Sequence, residues 1–69
     1  MKLSARNQLK GKIVAIEDGA VSGIVKIDIG NGNIISATIS MAAIKDLGLV
    51  VGGDATAVIK ATSVMVMVD

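Results

Sequence analysis

Cysteine and histidine are both missing from this 69-residue chain, and so are phenylalanine, tyrosine and tryptophan. Without cysteine there is no disulfide, no thiolate nucleophile and no thiolate metal site. Without histidine there is neither an imidazole base nor an imidazole ligand. Carboxylates are few: Glu17, Asp18, Asp28, Asp46, Asp54 and Asp69 are scattered without the spacing of a metal loop, and the one adjacent pair, Glu17 and Asp18, falls at a turn. No catalytic residue and no direct protein ligand to a metal is therefore assigned. The missing aromatics remove the platforms on which single-stranded nucleic acid stacks, and a net charge of +1 is too small for a duplex-binding face. Lys2, Arg6, Lys10 and Lys12 make one modest basic stretch, which by itself reads as a solvated strand face. Apolar runs long enough to span a bilayer are absent too, and the opening Met1-Lys2-Leu3-Ser4-Ala5-Arg6 has no apolar core of the signal-peptide kind. The expectation is a cytoplasmic protein that engages neither membrane nor nucleic acid.

What is present is apolar: 52% of the residues are hydrophobic. A single domain of this size buries only about 60% of its unfolded surface. So much apolar surface exceeds what one small core can hide, and the excess implies a homo-oligomer.

Strand signals dominate. Lys10 and Lys12 alternate with Leu9, Gly11 and Ile13 in a first strand running from Leu9 to Glu17, and Asp18-Gly19 reads as a two-residue hairpin turn. In the second strand Gly23, Val25, Ile27 and Ile29 share one face. Gly30-Asn31-Gly32-Asn33 makes the next turn, and Ile35, Ala37 and Ile39 share a face of the third strand. The period then changes. Met41, Ile44 and Leu47 follow helical spacing, with Ser40 as N-cap and Gly48 just past the end. After a turn at Val51-Gly52-Gly53-Asp54, two strands are expected, Ala55 to Lys60 and Thr62 or Ser63 to Val68, around a Lys60-Ala61-Thr62-Ser63 corner. Three strands, a short helix and two strands give an all-β fold with one short helix, a five-stranded OB-like barrel covering residues 1–69 as one domain. Val64, Val66 and Val68 on one side of the last strand, with Met65 and Met67 on the other, point again to burial against a partner subunit.

Three clusters could hold an anion. Ser4-Ala5-Arg6-Asn7-Gln8 contains the only arginine, whose planar fork of donors suits a tetrahedral oxyanion. Ser40 stands at the helix start, and Lys60-Ala61-Thr62-Ser63 combines a lysine, two hydroxyls and a bend that exposes backbone N–H groups. None of the three contains an acid. Taken singly, each has an ordinary explanation in a solvated arginine, a helix cap and a surface lysine.

The octapeptide Ser4-Ala5-Arg6-Asn7-Gln8-Leu9-Lys10-Gly11 resembles the opening signature of the molbindin (Mop) family of small molybdate- and tungstate-binding proteins. The likeness continues through Ile39-Ser40, Leu47-Gly48-Leu49 and Lys60-Ala61-Thr62-Ser63-Val64-Met65. It implies an OB-like Mop domain assembled as a hexamer, a trimer of dimers, that binds molybdate or tungstate at subunit interfaces and needs no organic cofactor. The implied oxyanion-binding residues are Ser4, Ala5 and Arg6 of one subunit with Ser40, Lys60 and Ala61 of a neighbour. Arg6 and Lys60 would supply charge, Ser4 and Ser40 hydroxyls, and Ala5 and Ala61 backbone N–H groups. Ala43 and Ala61 stand where some relatives carry hydroxyl residues, so a donor is lost or passes to the backbone. The implied function is storage or buffering of the oxyanion without enzymatic turnover. The alternatives are an oxyanion-sensing module acting through a protein partner and a purely structural oligomerisation domain.

Overall fold

Four strands, one short helix and a 3-10 turn make up the computed structural model, which describes residues 2–69. The order is β1 (Asn7–Glu17), β2 (Ser22–Gly30), β3 (Asn33–Ser40), α1 (Met41–Asp46) and β4 (Asp54–Ile59), followed by a 3-10 turn at Ala61–Ser63. The strands form one antiparallel sheet in the order β3-β2-β1-β4.

β1 is long enough to serve two partners. Its first half, Asn7 to Lys12, pairs with β4, and its second half, Lys12 to Glu17, pairs with β2. At the change of partner Val14 is inserted between Ile13 and Ala15 without an opposite number. Such a bulge bends and twists a strand, and here it curls the sheet into half a barrel. Ile13 anchors the bend, donating its N–H to the Gly53 carbonyl at 2.9 Å and accepting from Gly52 N–H at 2.8 Å.

The concave face carries the core. Ile13, Val25, Ile27, Ile44 and Ala57 are buried, and Leu9, Ile16, Ile35, Ile39 and Leu49 pack partly buried around them. The two-residue alternation of β2 and β3 places these side chains as expected, with Val25, Ile27, Ile35, Ala37 and Ile39 inward. The β2–β3 hairpin turns at Asn31-Gly32, whose φ angles of 53° and 78° are those of a type I′ turn. The other expected hairpin differs. Four residues, not two, connect β1 to β2, and Gly19 does not adopt positive φ.

α1 closes one end of the half barrel. Ser40 caps it, its Oγ accepting from Ala43 N–H at 3.0 Å. Gly48, at φ +64°, ends it in a Schellman motif, with Leu49 N–H donating to Ile44 carbonyl at 3.1 Å and Gly48 N–H to Lys45 carbonyl at 3.0 Å. Only Ile44 of the expected apolar stripe is buried. Met41 is half-buried and Leu47 is exposed, because the helix stops at Asp46 and Leu47 falls in its cap. Helix and sheet approach closely at Gly23: a Cβ there would lie 2.8 Å from Ile44 Cδ1 and 2.9 Å from both Met41 Sδ and Glu17 carbonyl oxygen.

The expected fifth strand does not form. After the 3-10 turn, residues 64–69 pair with nothing among the described residues, and Met65, Val66, Met67 and Val68 are each at least 88% exposed. The sheet therefore ends at β3 on one side and β4 on the other. Between these two edges lies an open apolar groove of about 410 Å³, lined by Val25, Ile27, Ala37, Ile39, Leu49 and Ala57 among others. The alternating apolar pattern of residues 64–68 is that of a strand, but a strand needs a ladder partner, and the chain's own sheet edges do not take it up.

Candidate oxyanion site

Asn7 and Ile59 form the last rung of the β1–β4 ladder. The chain segments beyond that rung, Ser4 to Arg6 before it and Lys60 to Thr62 after it, consequently leave the sheet side by side. They enclose a pocket of about 190 Å³ lined by Ser4, Ala5, Arg6, Lys60, Ala61 and Thr62. Five of the six residues expected to bind an oxyanion thus meet within one chain.

The wall on the β4 side is a tight turn, closed by Ser63 N–H donating to Lys60 carbonyl at 2.9 Å and Val64 N–H to Ala61 carbonyl at 3.3 Å. A turn of this kind leaves its leading N–H groups free. Among the described residues no backbone hydrogen bond is donated by Ala5, Arg6, Ala61 or Thr62. On the β1 side, Gln8 Nε2 donates to Ala5 carbonyl at 2.9 Å, and Asn7 Nδ2 donates to Ile59 carbonyl at 3.2 Å.

The charged residues that line the pocket are both cationic. The two ion pairs among the described residues are Lys12 with Asp54, at 2.6 Å, and Lys26 with Glu17, at 3.0 Å. Neither uses Arg6 or Lys60, and no carboxylate lines the pocket. Two cations, hydroxyls at Ser4 and Thr62 and free N–H groups therefore converge with no internal anion to satisfy them. Such a donor set can accept a small polyoxygenated anion through charge-assisted hydrogen bonds. It holds no general base and no nucleophile activated by one.

Ser40 is elsewhere. It pairs with Ser22 at the end of β3, the strand on the opposite edge of the sheet from β4 and at the opposite end of β1 from Asn7. Three strand spacings alone amount to about 14 Å along the sheet. The grouping thus differs from the expected one: Lys60 and Ala61 stand with Ser4, Ala5 and Arg6 in the same chain, and Ser40 does not line the pocket they form. Thr62 joins the pocket unanticipated as a lining residue, although its hydroxyl belongs to the corner already read as donor-rich.

Residues 3–66 match the TOBE domain family. The chain belongs to the TOBE-domain family. This TOBE domain is 65% identical, over 69 residues that span all of both chains, to a Haemophilus influenzae protein described as a "Probable molybdenum-pterin-binding protein". Its fold superposes with a TM-score of 0.90 on a molybdate-binding protein from Sporomusa ovata, at 36% identity, covering 97% of this chain and 98% of that one. It also superposes, with a TM-score of 0.85 and 43% identity, on the cytoplasmic molybdate-binding protein ModG with molybdate bound, covering 88% of this chain and 43% of that longer one. The likeness to the Mop family read from the octapeptide is thereby the relationship found across the whole TOBE domain, and the OB-like class of fold goes with it.

Proposed function

We propose that this protein binds molybdate or tungstate as the intact oxyanion, in the pocket of Ser4, Ala5, Arg6, Lys60 and Ala61, and serves as a cytoplasmic store or buffer for it. The observation that carries the reading is the convergence of Arg6 and Lys60, neither of them ion-paired, on a pocket with no acid. A dianion leaving water must replace its hydration by many donors, and the guanidinium fork, the ammonium, the Ser4 hydroxyl and the free N–H groups of Ala5 and Ala61 provide them. Sulfate has the same charge and shape but is smaller, so discrimination rests on cavity size. The reaction is binding without turnover, in keeping with relatives described as binding proteins.

The "molybdenum-pterin" in the relative's name raises the question of a larger ligand. At about 190 Å³ the pocket is below the 300–1,000 Å³ typical of sites for drug-sized molecules. The chain also has no aromatic residue on which a pterin ring could stack. Both points favour the bare oxyanion.

The working form is a homo-oligomer, a hexamer built as a trimer of dimers. The open groove between β3 and β4, together with the exposed apolar tail 64–68, supports this form. Tail and groove have matching chemistry, and exchange between copies gives each half barrel its fifth strand. Assembly also offers the way for Ser40 of a neighbour to add its hydroxyl to the pocket, so ligand that binds only the oligomer stabilises it by mass action.

Isothermal titration with molybdate, with sulfate as control, tests the reading. Wild-type protein should give saturable heat with molybdate and little with sulfate, and Arg6→Ala should lose at least about tenfold in affinity while melting normally, because charged hydrogen bonds contribute about 1.5–3 kcal/mol each. Equal affinity in Arg6→Ala would remove the pocket from consideration.

A further inference from the structure

Asn7 and Gln8 do not line the pocket, yet both commit their side-chain amides to backbone at its base. Apart from the two ion pairs, four hydrogen bonds among the described residues involve a side chain. Ser40 uses one to cap α1, and Asp28 uses another to accept from Gly30 N–H beside the β2–β3 turn. The remaining two both brace the site.

What they brace is specific. The carbonyl held by Gln8 belongs to Ala5, and the N–H of that same peptide unit is Arg6 N–H. The carbonyl held by Asn7 belongs to Ile59, and its peptide unit ends in Lys60 N–H. No peptide bond among the described residues is cis. In a planar trans unit the oxygen and the hydrogen point to opposite sides, so fixing one fixes the other. Each amide therefore holds a carbonyl oxygen on one side of its peptide unit and so sets the direction of the N–H on the other.

Resting on the oxyanion reading above, we propose that Gln8 and Asn7 are positioning residues for the anion: Gln8 aims Arg6 N–H, and Asn7 aims Lys60 N–H, as backbone donors to the bound oxyanion. The two residues whose side chains carry the site's positive charge then also contribute their main chains. The octapeptide acquires a division of labour, with Ser4, Ala5 and Arg6 touching ligand and Asn7 and Gln8 holding the frame behind them. The plainer account, in which both amides merely tie down the end of a strand, makes a different forecast.

Gln8→Met and Asn7→Leu keep side-chain size and remove the donor. The full-length variants, labelled with nitrogen-15, are titrated with sodium molybdate while amide proton shifts, calorimetric affinity and ligand-free melting are followed. In wild type the Arg6 and Lys60 amide protons should both move downfield at saturation. Gln8→Met should abolish the Arg6 response and spare that of Lys60, and Asn7→Leu should do the reverse. Each should weaken molybdate by about five- to tenfold, the worth of one aligned hydrogen bond. Gln8→Met should melt as wild type does, since its bond is solvent-exposed. Wild-type affinity with both amide responses intact in the variants would overturn the proposal, as would an affinity loss that follows melting temperature alone. A wild type that ignores molybdate would instead overturn the oxyanion reading, and the positioning role with it.

Discussion

Replacing Val66 and Met67 together by aspartate should take the assembly apart while leaving the subunit intact. In the single chain these side chains are 90% and 88% exposed, so neither contributes to the core of its own half barrel. In an extended segment neighbouring side chains point to opposite faces. Whichever face of the tail enters a partner's groove, one of the two substitutions goes with it. Burying a valine or methionine side chain is worth about 1.5–3 kcal/mol. In a twofold dimer each tail counts once, so the pair loses about 3–6 kcal/mol from the apolar term alone. At 1.4 kcal/mol per tenfold this weakens the dimer by about 10²- to 10⁴-fold, and desolvation of the introduced carboxylate adds to the loss. Sedimentation velocity over a micromolar concentration series reads the effect directly, and circular dichroism reports whether the four-stranded sheet survives. An unchanged sedimentation coefficient throughout the series would refute the exchange of tails and leave the groove without its occupant.

Other perturbations isolate single elements. Gly23→Ala should destabilise by about 1–3 kcal/mol in thermal or urea unfolding, because its Cβ would press on Ile44, Met41 and the Glu17 carbonyl at 2.8–2.9 Å. Ser40→Ala should cost about 1 kcal/mol through loss of the cap. Ser40→Asp keeps a capping oxygen and should restore that stability, yet weaken molybdate binding in the oligomer by adding negative charge, and equal binding by both variants would exclude Ser40 from the site. The Asp54 carboxyl is held below its usual value of 3.8 by the hydrogen bond and charge of Lys12. A carboxyl depressed on folding contributes stability that is complete above the unfolded value and lost as pH falls through the lower folded one. The difference in melting temperature between wild type and Lys12→Met should therefore be present near neutrality and vanish only well into acid, and it should be small because both side chains are solvated.

Much of the subunit was legible because its signals are local. Ser40 and Gly48 delimit α1 by chemistry within one turn of the helix ends, and Asn31-Gly32 specifies its hairpin through φ angles that few other residue pairs tolerate. The alternation in β2 and β3 assigned inward and outward faces correctly, since a pleated strand allows no other arrangement. Local rules failed where geometry is decided at a distance. Asp18-Gly19 resembles a tight turn, but the bulge at Val14 and the docking of α1, tied in by Met41 N–H to Val21 carbonyl, set where β2 can begin.

The candidate site divides along the same line. Composition excluded thiolate and imidazole chemistry, and the residue types at Ser4 to Arg6 and Lys60 to Ala61 offered donor clusters with ordinary explanations of their own, which only the resemblance to the Mop family joined into one expected anion site. That these two segments, more than fifty residues apart, form one pocket follows only from the pairing of Asn7 with Ile59, and that Ser40 lies beyond their reach follows only from the order of strands in the sheet. Sequence likewise determined that residues 64–68 are strand-like and apolar. Whether such a segment becomes a strand depends on a free sheet edge, which is a property of folded chains in space, and in this protein the tertiary structure leaves the segment outside its own half barrel.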